Sequence, residues 1–211
     1  MSAPPEERGV PEPISFYFDF ISPYGYCAAS RIDALAARHG RTVQWRTFNM
    51  RSVNATVLGA DKPLFLLPLK GPYFSQDVPR TVKWFGLPYD PGSVLEFNPL
   101  AALRAFWFLN DQNPQQAKAF AWRVMQAFFA EKTVPNEPAL VAAFAEEAGA
   151  DPQAVLAYLD APEAKARLKR ETEDAVSKGV WGTPTFRVGD QLFWGCDRLQ
   201  MLEDWLARGG W

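Results

Sequence analysis

The run Ile14 to Phe20, aromatic and apolar in the manner of a buried strand, passes directly into Ile21-Ser22-Pro23-Tyr24-Gly25-Tyr26, which reads as the opening of a helix. Ser22 suits the cap position, where a side-chain oxygen accepts a bond from a first-turn amide. Pro23 suits the first helical position, where its missing N–H costs nothing. A reactive group held at such a turn sits beside the positive end of a helix dipole. Residues 23 to 39 then carry Ala28, Ile32, Leu35 and Ala36 on one helical face, and Gly40 stops the helix. Thr42 to Phe48 alternates, with Val43 and Trp45 on one side and Gln44 and Arg46 on the other. Strand, helix and strand in this order make a β-α-β unit with parallel strands.

From Asn49 to Asn98 the pattern loosens, with prolines at 63, 68, 72, 79, 88 and 91. An extended, loop-rich connection is expected there, with one short helix around Val78 to Phe85. Helix openings follow at Asn98-Pro99, Asn113-Pro114 and Asp151-Pro152, each a cap-like residue before proline, and helices dominate to about Lys178. Ala117, Phe120, Ala121, Val124 and Phe128 share one face of the clearest helix, an aromatic stripe that belongs in a core. Thr185 to Val188 and Gln191 to Trp194 flank Gly189-Asp190 as the strands of a hairpin. A last helix closes the chain, with Asp197 and Gln200 spaced as a capping box and Leu199, Leu202 and Leu206 as its apolar face. This is the plan of an α/β, thioredoxin-like fold with an inserted all-helical domain. The expected boundaries are a flexible tail at 1–12, a thioredoxin-like domain at 13–60 and 175–211, and the helical insertion at 61–174.

With 211 residues, 48% of them hydrophobic, the chain can bury a sizeable core. Twenty-two basic and twenty-four acidic residues leave a net charge of −2, and no long single-sign run offers a surface for nucleic acid or an anionic membrane. Small ligands are the expected partners. No stretch approaches the roughly 20 apolar residues of a membrane span, and the amino terminus lacks the features of a signal peptide, so a cytoplasmic location is expected. Cys27 and Cys196 lie far apart and form no C-x-x-C pair, which points to buried small residues and to no metal site. His39 is the single histidine and precedes Gly40 at a helix end, a structural position that leaves a serine or cysteine hydrolase without its base.

Two stretches, Phe18-Asp19-Phe20-Ile21-Ser22-Pro23-Tyr24 and Gly179-Val180-Trp181-Gly182-Thr183-Pro184-Thr185, resemble motifs of the 2-hydroxychromene-2-carboxylate isomerases and kappa-class glutathione transferases, within the DsbA-type superfamily. A third, Phe193-Trp194-Gly195-Cys196-Asp197-Arg198-Leu199, resembles the end signature of the same family. The resemblance spans most of residues 14 to 208. It implies glutathione as cofactor, with Ser22 in the place of the attacking cysteine of disulfide oxidoreductases, so that the sulfur comes from the ligand. Ser22 is then the catalytic residue, binding the cofactor together with Pro23 and Tyr24. Thr183-Pro184 resembles a cis-proline turn whose backbone pairs with the cysteinyl part of glutathione. Asp197 and Arg198 match positions at its γ-glutamyl end, and the resemblance counts Cys196 beside them among the cofactor-binding residues. Asp61 stands where the family usually carries asparagine, and Lys70 matches a family lysine near the ligand.

The resemblance implies a homodimeric, glutathione-dependent isomerase acting on a small aromatic carboxylate from aromatic catabolism. Tyr24, Tyr26, Phe48, Trp84 and Trp107 are candidates for a flat apolar pocket. The alternatives are a kappa-like transferase or peroxidase with the same site, and a non-catalytic thioredoxin-like binding module. A disulfide oxidoreductase is disfavoured, since Ser22 and Gly25 stand where two cysteines are needed.

Overall fold

The computed structural model describes residues 11–59 and 62–211. Apart from Pro11 and Glu12, which are exposed, the expected tail lies outside the described residues. Four strands, β1 (Ile14–Phe18), β2 (Val43–Thr47), β3 (Thr185–Val188) and β4 (Gln191–Trp194), form one sheet in the order β2-β1-β3-β4. The β1–β2 pair is parallel, as a β-α-β unit requires, while β3 runs antiparallel to both β1 and β4. Register aligns Trp45, Phe16, Phe186 and Phe193 across the sheet on a single face. Phe16 stacks on Phe186 with centroids 5.5 Å apart and meets Trp45 edge-on at 5.1 Å. Alternation along each strand thus becomes one aromatic row, the cross-strand packing that stabilises a sheet.

The helix expected over residues 23 to 39 is two helices, α1 (Pro23–Ala29) and α2 (Ile32–Arg38). Ser30 ends the first by donating its hydroxyl to the Cys27 carbonyl at 2.7 Å, and Arg31 leaves helical geometry. Ala28, Ile32, Leu35 and Ala36 are all buried, so the face survives the break. Gly40, with φ at +65°, ends α2 in the left-handed region that suits glycine.

The segment from Asn49 to Asn98 departs further from expectation. It holds α3 (Met50–Thr56), a 3-10 turn at Leu64–Leu66, and α4 (Lys70–Trp84), a 15-residue helix where a short one was expected. Pro72 falls in the first turn of α4, where its missing N–H costs nothing, but Pro79 lies inside the helix. Packing outweighs that local penalty, because Gly71, Val78 and Val82 are buried and α4 lies against α1. Asn49 caps α3 by accepting from the Ser52 amide.

Five helices follow, α5 (Leu100–Gln112), α6 (Pro114–Ala130), α7 (Pro138–Glu147), α8 (Pro152–Asp160) and α9 (Pro162–Ser177). Asn113 and Asp151 cap α6 and α8 as their cap-proline pairs predict, and Asn98 accepts from the Leu100 amide ahead of α5. The stripe Ala117, Phe120, Ala121, Val124 and Phe128 is buried in a core continuous with the sheet. Phe18 meets Phe106 of α5 at 5.3 Å, and Phe20 meets Phe120 of α6 at 6.2 Å. On the opposite sheet face, Tyr17, Phe48, Val53, Ala175 and Val180 form a smaller cluster that includes α9.

The closing helix, α10 (Leu199–Arg208), opens differently from the capping-box expectation. Cys196–Arg198 is a 3-10 turn, Arg198 occupies the cap position, and no side chain caps the helix. Arg198 donates its amide to the Gly195 carbonyl, and this tight turn keeps Asp197 outside the first helical turn. Among the described residues no helix is long and apolar enough to cross a membrane.

Candidate active site

β1 ends at Phe18, and the chain turns through Asp19, Phe20 and Ile21 with the Ser22 amide bonded to the Asp19 carbonyl at 3.0 Å. Ser22 is extended, at φ −93° and ψ 108°, and its Oγ accepts from the Gly25 amide at 3.1 Å. Its hydroxyl donates to the Thr183 carbonyl at 3.2 Å across 161 residues. The Thr183-Pro184 bond is cis, as the resemblance implies, and the Pro184 carbonyl accepts from the Gly195 amide at 2.9 Å. Two hydrogen bonds thus join three motifs that lie far apart in the sequence.

Glycines allow the close approach. A Cβ on Gly25 would stand 3.2 Å from the Ser22 Cβ and 3.4 Å from its Oγ, so a side chain at that position crowds the hydroxyl. Gly195 holds φ at +107°, where a side chain is strained, and a Cβ there would collide with the Asp197 carboxylate.

Asp19 belongs to the first motif, but its role escapes sequence reasoning. Its carboxylate is fully buried and accepts from the Ile21 amide at 3.2 Å and the Met50 amide at 2.9 Å, tying the Ser22 turn to the start of α3. Burial pushes its pKa up to about 6, against the lowering effect of those two amides and of Arg51. An unfolded aspartate titrates near 4. Between about pH 4 and 6 the folded protein therefore binds more protons than the unfolded chain, and stability falls as pH rises through that window. Raising the pH from 4 to 7 should cost the wild type on the order of 2–3 kcal/mol relative to Asp19→Asn. Urea unfolding across that range measures it, and parallel profiles for the two proteins would refute it.

Tyr24 is half-buried and donates its hydroxyl to Asp77 of α4 at 2.6 Å, while its ring meets Phe74 edge-on at 5.7 Å. Asp77 also accepts from Tyr73 at 3.2 Å and from Arg80 at 2.8 Å. Arg80 and then Tyr24 hold its carboxyl below the usual carboxylate range, while burial and the Asp77 bond push the Tyr24 phenol up. The Tyr24 hydroxyl is therefore a committed donor that fastens α1 to α4. Lys70 is the exposed first residue of α4 and precedes Phe74 by one turn on the same helix face. Asp61 lies outside the described residues.

Asp197 and Arg198 pair at 3.1 Å and are largely solvent-accessible, one residue beyond the Gly195-Cys196 step that Pro184 anchors. Cys196 itself is buried. Distant in sequence, Cys27 and Cys196 are neighbours in the fold, and the Cys196 thiol beside it together with burial pushes the Cys27 thiol up. Long-range packing of α1 on the 3-10 turn makes them neighbours, which sequence spacing cannot show.

The aromatic pocket expected from five side chains does not form. Tyr26 is stacked between Trp122 and Phe129 at 5.3 and 5.1 Å, and Phe48 and Trp107 are likewise buried in packing clusters. Trp84 is 78% exposed at the far end of α4, which leaves Tyr24 as the one member beside Ser22 and Pro23. Hydrophobic burial claims aromatic rings first, and a sequence cannot separate core rings from lining rings. His39 caps α2 with its Nε2 3.8 Å from Glu203, the structural role expected of it.

The DSBA-like thioredoxin domain family matches residues 13–207. The chain is 30% identical over 195 residues to a 2-hydroxychromene-2-carboxylate isomerase from Pseudomonas putida, covering 92% of this chain and 94% of that one. It is 22% identical over 206 residues to a glutathione S-transferase kappa 2 from Caenorhabditis elegans, covering 92% and 91% of the two chains. A solved 2-hydroxychromene-2-carboxylate isomerase superposes with a TM-score of 0.82 at 30% identity, over 93% of this chain and 95% of the other. With a serine at the head of α1, a cis-proline turn against it and these relatives along nearly its whole length, the chain belongs to the DSBA-like thioredoxin domain family, among the 2-hydroxychromene-2-carboxylate isomerases and kappa-class glutathione transferases.

Proposed function

We propose that this protein is a glutathione-dependent isomerase of the 2-hydroxychromene-2-carboxylate type. The observation that carries the reading is the Ser22 hydroxyl, bonded to the main chain of Thr183 at the cis-proline turn, at the helix start where the resemblance puts the attacking cysteine of disulfide oxidoreductases. The relatives named as isomerases, alike in length and fold, support the reaction class. The kappa-class relatives support the thiol cofactor.

The residues present fit a tripeptide thiol. Ser22 offers a hydroxyl to a sulfur, and Thr183 offers main-chain groups to a peptide backbone in the manner of an added strand. Asp197 and Arg198 offer a carboxylate and a guanidinium to the ammonium and carboxylate of a γ-glutamyl end. Lys70 adds a cation on the α4 side. When bound, glutathione supplies the sulfur nucleophile, which divides one hard isomerisation into easier steps. Ser22 stabilises the ionised sulfur, and Tyr24, fixed on Asp77, holds the wall beside it without giving up its proton. The aromatic carboxylate substrate and a homodimeric assembly belong to the same reading.

Conjugation of glutathione to an electrophile would use the same groups, and the kappa-class relatives favour it as the second reading. The two differ in whether the thiol is regenerated. Incubation with 2-hydroxychromene-2-carboxylate and substoichiometric glutathione should give turnover many times the thiol supplied. Product that stops at one equivalent of glutathione would reject the isomerase.

A further inference from the structure

We propose that Arg104, with the Trp107 indole N–H and Arg46, holds the carboxylate of a small organic acid where α5, α9 and β2 meet, at a site separate from Ser22. An alternating chain of charge runs across these three elements. Arg46 on β2 donates to Glu171 of α9 at 3.1 Å, Glu171 stands 3.1 Å from the Arg167 Nε, and Arg167 donates to Asp111 of α5 at 3.0 Å. The Arg167 guanidinium also lies over the Trp107 ring, 5.1 Å from its centroid. Arg104, Trp107 and Asp111 follow one another at helical spacing and share one face of α5. The Thr47 hydroxyl donates to the Leu103 carbonyl at 3.4 Å, which seats the Arg104 turn of α5 beside the Arg46 end of β2.

This group holds three guanidiniums against two carboxylates. Arg46 and Arg167 take up both carboxylates, and among the described residues none pairs with Arg104. Three of its donors also lack a protein acceptor: the Nε of Arg104, the Nε of Arg46 and the Nε1 of Trp107 are buried with no hydrogen-bond partner. Trp107 is 3% exposed, so bulk water does not serve its N–H. A buried donor left unpaired opposes folding, and a cation left uncompensated opposes it more. A carboxylate answers both demands. Its two oxygens offer about four acceptor positions, and its single charge neutralises the one excess guanidinium. A dianion such as sulfate leaves a negative charge over instead. Arg46 and Arg167 keep 26% and 28% of their side-chain surface open, which gives the ligand its entry.

Acetate is the probe, titrated at constant ionic strength against chloride and followed at the Trp107 indole N–H proton resonance, which Trp107→Phe identifies. With acetate that resonance should move saturably to lower field, while chloride should leave it in place. Arg104→Gln should raise the half-saturating acetate concentration at least about tenfold, since a hydrogen bond between charged groups is lost. Arg104→Lys keeps the charge without the planar fork and should fall between wild type and Arg104→Gln. Retained dispersion of the other indole signals shows that each variant is folded. A Trp107 resonance that responds alike to acetate and chloride would overturn the site, its donors then being served by water. An acetate response that survives Arg104→Gln and Arg104→Lys unchanged would place the anion elsewhere and overturn it too. Tighter binding of sulfate than of acetate would overturn the carboxylate. The readout uses neither glutathione nor activity, so none of these outcomes touches the proposed function.

Discussion

Ser22→Ala should lower glutathione-dependent kcat/KM about 10²–10³-fold while leaving a folded protein, the loss seen when one well-placed donor to a developing charge is removed. The size follows from the number of donors: the hydroxyl proton is the one that Ser22 can give, and it already faces the Thr183 carbonyl at the floor of the site. The accompanying stability loss is smaller. Losing the bond from the Gly25 amide removes a helix cap, about 1 kcal/mol, and an unpaired Thr183 carbonyl adds about 1–3 kcal/mol. Urea unfolding and steady-state kinetics on the same preparation separate the two effects. Kinetics within about threefold of wild type would take the hydroxyl out of the reaction, since that ratio is below 1 kcal/mol of transition-state stabilisation.

Phe18→Ala should destabilise the protein by about 3–5 kcal/mol, the usual loss for a fully buried phenylalanine whose neighbours cannot collapse into the space. Phe18 is fully buried and touches Phe16, Phe20, Trp45 and Phe106 at centroid separations of 5.5, 5.4, 5.4 and 5.3 Å. Those neighbours come from β1, the Ser22 turn, β2 and α5, so the ring joins sheet to helices at the residue before Asp19. Against a total stability of about 5–15 kcal/mol, such a loss removes from about a fifth to the whole of the margin. Chemical denaturation monitored by tryptophan fluorescence reads it directly. A loss below about 1 kcal/mol would mean that the cluster closes over the cavity.

Much of the fold was legible because its signals are local. The hairpin at Gly189-Asp190, the caps at Asn113 and Asp151 and the buried stripe of α6 each follow from residues within a few positions of one another. Where local signals compete with packing, the reading failed. Prolines at 72 and 79 argue against a helix, yet burial of Val78 and Val82 against α1 sustains α4 through both. Asp197 and Gln200 have capping-box spacing, but the turn after Gly195 moves Asp197 out of the helix start. The aromatic residues were ambiguous for the same reason, since Tyr26, Phe48 and Trp107 serve the core.

Of the candidate site, Ser22-Pro23 announced itself as a helix start because cap, proline and first-turn amides are neighbours in the chain. Residue order and composition by themselves determined the strands, most helices, the Ser22 cap and the lack of a cysteine pair at that cap. Tertiary structure alone decided that the Ser22 hydroxyl meets Thr183, that Pro184 holds Gly195, that Asp19 is sealed from water under the turn and that Cys27 lies near Cys196. Each of these depends on exclusion of water or on a contact between distant segments. Hydrogen-bond direction and carboxyl ionisation are set by what surrounds a group after the chain has collapsed, and that surrounding has no local imprint in the sequence.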